Sequence, residues 1–492
     1  MSWLIVLPLL MPLTTGILCL VVGNRPAQRV LGLVGALGLL AAALALLTQV
    51  NQQGIQAVQV GNWPAPFGIT FVADHLSALM VLVTGVVAVV VALYALAESD
   101  APREQLGYYA LSHFLLFGVV GAFLTGDLFN LYVWFEVLLL SSFVLMILGG
   151  SKAQLTGGVK YFTVSLLSSI LFLVAVGLLY GATGALNMAD LATRVGSVAP
   201  GLLTALAMLF LGAFGLKAAV FPFFFWLPAS YPAPPVIISA LFAGLLTKVG
   251  VYALIRVFTL LFTQDTAFTH TVILWIAGLT LLLGVLLALA QGELRRLLSF
   301  QLVSHIGYML MGLGILSPLA LAGSVFYALN HMIVIAALFL LAGLLQRLQG
   351  TTVLVRMGGL YRSHPWLAVL FLLPAFSLAG LPPFSGFWAK FTLVAASLQA
   401  GQYAIVAVAL LVGLLTLLSM GLVFAEVFWK NPPRPPVGVA SPPGLIVPVA
   451  LLALLTLGLG LWAEPLLALS QAAAQELLEP SRYIEAVLGV SR

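Results

Sequence analysis

The chain of 492 residues is 62% apolar, only 7% Asp, Glu, Lys or Arg, and carries a formal net charge of +5. A soluble domain has roughly 25% charged residues with which to cover its surface, and a mean hydropathy of +1.18 excludes that class. Nor does the basic balance mark a nucleic-acid surface, because most of the 19 Lys and Arg are scattered over short loops and form no patch.

Cutting the apolar stretches at charged or Pro/Gly-rich breaks predicts fourteen spans, numbered here in chain order. The first seven are 3–23, 29–47, 70–97, 107–125, 128–149, 159–182 and 200–226. The second seven are 234–261, 268–290, 297–315, 319–346, 365–397, 402–429 and 443–468. Crossing about 30 Å of hydrocarbon takes ~20 helical residues. Only helices satisfy their backbone groups at such lengths, and no alternating pattern suggests a barrel, so the expected fold is an all-α polytopic membrane protein. Span 1 has no basic residue before it and spans continue to the end, which reads as a helix and not as a cleaved leader. Cys19 is the one cysteine, so no disulfide framework is possible. The loop 48–69 is too short for a folded domain. With no Gly-rich nucleotide loop and no His-Glu-x-x-His, no cofactor and no metal is expected. The tail 469–492, mildly amphipathic and interrupted by Pro480, reads as an interfacial helix.

The basic residues predict sidedness. Loops after odd-numbered spans hold Arg25, Arg29, Arg103, Lys152, Lys160, Arg295, Arg296, Arg347, Arg356, Arg362, Lys430 and Arg434. The opposite side holds Arg194, Arg256, Arg482 and Arg492. Twelve against four places the odd-span loops in the cytoplasm and both termini outside.

Spans 4–8 and 9–13 are two sets of five, and an odd number per set gives the sets opposite orientations. Their fourth members are both interrupted by proline, with FPFFFWLP (Phe221–Pro228) in helix 7 and GLPPFSGFW (Gly380–Trp388) in helix 12. The expected divisions are 1–106, an inverted repeat over 107–262, a second over 263–430, and 431–492.

Function is sought in the ionisable residues flanked by apolar sequence: Glu136, Lys217, Lys248 and Lys390. An ion at the bilayer centre costs about 2.5–3.5 kcal/mol on insertion scales, so such residues pair or carry ions. At ~1.5 Å per residue, Glu136 lies about 14 Å below Asp127, and Lys248 about 21 Å, His331 about 18 Å and His305 about 12 Å into their helices. One shared depth on several helices suits a lateral proton wire. Lysine in low dielectric gives up its proton near neutrality, a nearby carboxylate restores it, and histidine relays between its two nitrogens. Glu136 with Lys217 and Lys390 are the leading transfer groups, His305 and His331 candidate relays, and Lys160 a candidate uptake point. Asp74, His75, His113, Asp127 and the Glu426/Lys430 pair lie near helix ends and read as solvated or snorkelled charge.

These residues also carry a resemblance. GDLFNLYVWFEVLLLSS (Gly126–Ser142), GLKAAVFPFFFWLPASYPAPP (Gly215–Pro235), SALFAGLLTKVGVYALIR (Ser239–Arg256), LRRLLSFQLVSHIGYM (Leu294–Met309) and FSLAGLPPFSGFWAKF (Phe376–Phe391) resemble the antiporter-like subunits shared by respiratory complex I and the Mrp-type multisubunit cation/proton antiporters. Within that superfamily the chain is most similar to the D subunits of Mrp antiporters, having Tyr231 where complex I relatives usually show histidine. The resemblance implies fourteen helices with two inverted five-helix bundles, broken helices 7 and 12, and a multi-pass place in a bacterial or archaeal cell (inner) membrane. It implies Glu136 and Lys217 as a coupled pair, Lys248 as the connecting base and Lys390 as the terminal donor or acceptor. Ile335 stands where many relatives have a lysine four residues after the helix 11 histidine, so transfer from Lys248 to Lys390 would lean on His331 or water.

The resulting expectation is a proton-translocating subunit of a Na+/H+ antiporter, not an enzyme in itself, reliant on other membrane subunits and with no nucleic-acid partner. Sodium would pass through other chains, because Glu136 is the one acidic residue deep in a span. The alternatives are a redox-driven complex I or membrane hydrogenase subunit, in which the same wire would serve, and an inert membrane scaffold. The buried lysines argue against the scaffold, which has no reason to bear their desolvation.

Overall fold

The computed structural model describes residues 3–98, 101–431 and 443–489. Arg434 and Arg492, counted above for sidedness, lie outside them. Among the described residues eleven helices are long and apolar enough to cross a membrane, and three shorter apolar ones complete the predicted fourteen. Helices 1–6 are Leu7–Val21, Arg25–Gln53, His75–Ala97, Tyr108–Leu124, Leu128–Ile147 and Lys152–Thr183. Helix 7 is Pro200–Ala218 continued by Trp226–Ser230, and helices 8–11 are Val236–Leu260, Thr266–Leu289, Leu294–Ile315 and Pro318–Gln349. Helix 12 is Pro365–Ala379 continued by Ser385–Gln399, and helices 13 and 14 are Tyr403–Phe424 and Pro443–Leu461. Helices 8 and 11 are buried over almost their whole length and form the axis of the bundle.

Several boundaries differ from the sequence reading, for local reasons. The start expected at residue 70 is a strand: β1 (Gln56–Gln59) and β2 (Thr70–Ala73) pair antiparallel, Gln56 facing Ala73, within an otherwise helical fold. Helix 3 begins only at His75, where Asp74 accepts from Ser77 N and Ser77 Oγ accepts from Asp74 N, a reciprocal cap that satisfies two backbone donors. Helix 6 starts at Lys152 and not at 159, under a matching cap of Ser151 with Gln154. Helix 14 stops at Leu461, and the tail forms two helices, Glu464–Leu478 and Pro480–Leu488, broken at Pro480 as expected. The first buries Ser470, Ala473, Ala474 and Leu477 and packs on helices 3 and 11, so it is docked on protein.

The two five-helix sets carry the same backbone clip. In the first, Leu128 N donates to Leu186 O (3.0 Å) and Met188 N to Gly126 O (2.8 Å). In the second, Leu294 N donates to Thr352 O (2.9 Å) and Leu354 N to Gly292 O (2.9 Å). Asp127 bridges Asn187 in one and Glu293 bridges Val353 in the other, each acid capping the helix that follows. Because helix 5 is odd and helix 10 even, the clips lie on opposite faces.

Candidate functional site

The broken helices position the lysines. The first half of helix 12 ends at Ala379, and Gly380 follows in the left-handed region at φ 89°, where a side chain is strained. A helix end leaves its last carbonyls open. Lys390, from the second half, donates to two of them, Leu378 O at 2.9 Å and Ala379 O at 3.1 Å. A Cβ on Gly380 would lie 2.6 Å from Lys390 Cδ, a second reason for glycine there. The ammonium stands 4.4 Å from the centre of the Tyr308 ring and 6.0 Å from that of Tyr327, where the ring faces attract it. Asn330 of helix 11 latches the break by accepting from Ser385 Oγ (2.6 Å) and Ser377 Oγ (3.2 Å). A cavity of about 330 Å³ beside Lys390 opens between helices 12 and 13, lined by Phe391, Leu410 and Leu414.

From Lys390 the polar groups continue inward. The Tyr327 hydroxyl is hydrogen-bonded to His305 Nδ1, and His305 Nε2 meets Thr416 Oγ1 at 3.3 Å. The His305 and His331 rings stack with centroids 5.6 Å apart and planes 20° apart. Both lie within electrostatic reach of Lys248 and Lys390. Lys248, His305 and His331 are each fully buried. Lys248 donates to Ala243 O at 2.5 Å, whereas neither nitrogen of His331 has a hydrogen-bond partner among the described residues. Ile335 is buried one turn beyond His331 and adds no polar group, so the stacked histidines and Tyr327 are the polar groups between Lys248 and Lys390.

At the other end, Lys217 lies in the last turn of the first half of helix 7. Its ammonium donates to Ser165 O (3.2 Å) and Ser169 Oγ (3.1 Å) on helix 6 and lies 5.3 Å from the Phe135 ring centre. The ion pair with Glu136 expected from the sequence is not formed among the described residues. Glu136 is within electrostatic reach, its Oε1 buried without a partner, but the nearer acceptors of helix 6 hold the ammonium. A cavity of about 20 Å³, room for about one water, is lined by Lys217, Ser165, Tyr161 and Leu246 of helix 8. Helix 8 packs tightly on this segment at Gly250, where a Cβ would lie 2.6 Å from Ala218 N and 3.0 Å from Lys217 C. Lys160 is not brought into this group. It lies on the exposed side of helix 6, whose cap sets its start eight residues earlier.

The helix-end charges read as solvated are buried instead. Asp74 Oδ2 pairs with Arg256 Nη1 at 2.6 Å, and both side chains are almost completely buried. Arg256 Nη2 donates to Tyr252 OH (3.3 Å), and the Tyr483 ring from the tail lies 5.3 Å from the guanidinium. Burial alone raises the Asp74 carboxyl, but the Arg256 guanidinium outweighs it and holds the carboxyl below its ordinary value. His75 Nδ1 meets Glu476 Oε1 at 2.8 Å, and Glu476 Oε2 accepts from His75 N at 2.9 Å. His113 is likewise buried, on Tyr109 O, and Asp127 is buried as a cap. Glu426 and Lys430 form the exposed i,i+4 pair foreseen, at 2.7 Å. The missed signal is the spacing of Lys248, Tyr252 and Arg256, which share one face of helix 8.

Comparison with known proteins gives a consistent picture. The sequence profile of the family described as NADH:quinone oxidoreductase/Mrp antiporter, TM, matches residues 125–416. The D subunit of the Na+/H+ antiporter of Alkalihalophilus pseudofirmus is 48% identical over 491 residues, 99% of this chain and 100% of that one. Its counterpart in Bacillus subtilis is 42% identical over 494 residues, 99% and 100% of the two chains. A chain in the structure of the Mrp complex from Dietzia sp. superposes with a TM-score of 0.93 at 35% identity, with 99% of each chain covered.

Proposed function

The chain belongs to the NADH:quinone oxidoreductase/Mrp antiporter membrane family, among the D subunits of Na+/H+ antiporters, and from that premise we propose that it conducts protons sideways through the middle of the membrane. It is a cation/proton antiporter subunit, a transporter component and not an enzyme, and it works beside other membrane subunits. The route we assign runs over Glu136, Lys217, Lys248, His331, His305 and Lys390. One observation carries it: the buried row in which Lys248 lies within electrostatic reach of the stacked histidines, and His305 is joined through Tyr327 to Lys390.

Each group has the chemistry the route needs. Lysine passes between ammonium and amine when burial opposes its charge, and histidine can take a proton on one nitrogen while releasing it from the other. Thr247 Oγ1, Gln301 Nε2 and both His331 nitrogens are buried without partners among the described residues. Such groups are costly to leave unsatisfied, and water molecules bridging them would complete the gaps. Glu136 acts on Lys217 across this spacing through its charge, not through a direct bond. We assign the sodium path to other chains, because the described residues hold no group of three or more Asp, Glu, His or Cys side chains that could supply such ligands. We assign both termini to the outside and read 107–262 and 263–430 as inverted repeats, which the matched clips support.

The test is Na+-driven antiport by the whole complex in vesicles with an interior pH dye. Glu136→Ala and Lys217→Ala are each expected to abolish it while assembly persists. Normal antiport by either variant at normal protein level removes that residue from the route.

A further inference from the structure

Lys248, Tyr252 and Arg256 follow one another at one-turn intervals on the same face of helix 8, about 6 Å apart. All three are buried. Arg256 stands in the last turn, at the face where helix 3 begins and the first tail helix packs on helices 3 and 8. A polar branch therefore leads from the row at Lys248 toward an aqueous surface. If it conducted, protons would cross with no sodium moving the other way.

Each link of the branch is a dead end for a proton. The Lys248 ammonium donates to Ala243 O and so turns along the helix away from Tyr252. The Tyr252 hydroxyl donates to Phe123 O (2.7 Å), a peptide carbonyl that does not take up protons at any pH a cell meets. Its oxygen accepts from Arg256 Nη2 (3.3 Å), and guanidinium keeps its proton at every working pH. The guanidinium is also fixed in place. Its Nη1 pairs with Asp74 Oδ2 at 2.6 Å, and the Tyr252 and Tyr483 rings each lie 5.3 Å from it. Next to Asp74, His75 meets Glu476 at 2.8 Å, both buried. Histidine and carboxylate can both gain and lose protons, so Arg256 is the charged group of this cluster that cannot.

We propose that Arg256 is a proton stop, which closes the row of Lys248 and the histidines toward this face. This role rests on Lys248 carrying a proton, as assigned above, and adds where that proton cannot go. An ion pair that only stabilised the fold would require no more than charge balance and filled space. The stop requires the guanidinium itself, because a shorter neutral side chain leaves room beside Tyr252 for water, which passes protons along its hydrogen bonds.

The experiment uses the assembled complex in Na+-free liposomes with an interior pH dye, and potassium with valinomycin to cancel the membrane potential. The initial rate of interior acidification is read after an external acid pulse. Arg256→Gln is expected to leak about tenfold faster than the wild type. Asp74→Asn leaves the guanidinium between its two rings and should stay as tight as the wild type. The double variant Asp74→Asn with Arg256→Gln strands no charge, yet should leak like Arg256→Gln. A leak that merely followed loosened packing would be greatest in Asp74→Asn and smaller in the double variant, and that order overturns the stop. Adding Lys248→Ala to Arg256→Gln is expected to end the leak; a leak that persists runs elsewhere and also overturns it. Should Arg256→Gln fail to assemble, the double variant decides. Na+-driven antiport by Lys248→Ala tells the route from the stop. If that antiport is normal, the route itself fails; if it is abolished while Arg256→Gln stays tight, the route stands and the stop alone is refuted.

Discussion

Replacing Lys390 by arginine separates charge from proton transfer at the break of helix 12. Alanine cannot do so. It would strip two hydrogen bonds from the open helix end, each worth about 0.5–1.5 kcal/mol net. It would also lose the contact with the Tyr308 ring, about 2 kcal/mol when desolvated. A loss on the order of 3–5 kcal/mol is a large part of what holds a protein folded, so an inactive alanine variant would be ambiguous. Arginine keeps the positive charge, can donate to both carbonyls and stacks well on an aromatic face. The adjoining cavity of about 330 Å³ has room for its extra atoms. Guanidinium, however, does not release its proton at any working pH. Lys390→Arg is therefore expected to assemble at the wild-type level and to lose at least nine-tenths of Na+-driven antiport in everted vesicles. Immunoblots of the partner subunits and a pH dye give the two readouts. Full antiport by Lys390→Arg would refute the reasoning and make the charge purely structural.

Asp74→Asn retains an oxygen for the helix 3 cap, so its effect isolates the pair with Arg256; stranding the guanidinium should cost about 3–5 kcal/mol, and adding Arg256→Gln should cost less than the two single losses together. Since Arg256 holds the Asp74 carboxyl low, the pair's contribution is present above the ordinary carboxyl value of about 3.9 and is lost only as pH falls through the lowered one. Asp74 also acts on the adjacent His75, so the melting difference is read in a His75→Gln background, where it should stay level from pH 8 to 5; a collapse within that window would contradict the assignment. Tyr327→Phe leaves His305 Nδ1 without its hydroxyl, at about 1–3 kcal/mol, and should slow antiport tenfold or more; an unchanged rate would take Tyr327 out of the route. Gly250→Ala sets a methyl against the backbone of Ala218 and should cost about 1–3 kcal/mol; an unaltered melting point would show that helices 7 and 8 are not so closely apposed.

Hydrophobic run length made all fourteen helices legible, because a span must be long and apolar whatever its neighbours are. The breaks were legible too, since proline leaves a carbonyl without its donor wherever it falls inside a helix. Caps were harder to place. The Asp74–Ser77 and Ser151–Gln154 caps moved the starts of helices 3 and 6, and nothing in the apolar pattern distinguishes a capped turn from a loop. Side-chain partners were least legible. Glu136 and Lys217 share depth and opposite sign, yet the acceptors that hold Lys217 come from helix 6, 48 and 52 residues away in the chain. Asp74 and His75 looked solvated because each lies near a helix end; only the docking of the tail against helix 3 encloses them. Burial at a helix end depends on what folds over it, which is a long-range fact.

The paired clips joining Leu128 to Leu186 and Leu294 to Thr352 have a consequence for life in two different solutions. One faces the cell interior, whose acidity and salt are regulated, and the other faces surroundings that are not. Both are fastened by amide hydrogens on peptide carbonyls, groups that neither gain nor lose protons over any pH a cell meets. An ion-pair fastening would tighten in dilute medium and slacken in brine, because mobile ions screen exposed charges. A peptide fastening ignores both changes. The same device can thus hold each half of the molecule with equal firmness while the medium on one side drifts, and the frame around the lysines keeps its dimensions as the gradients across it change.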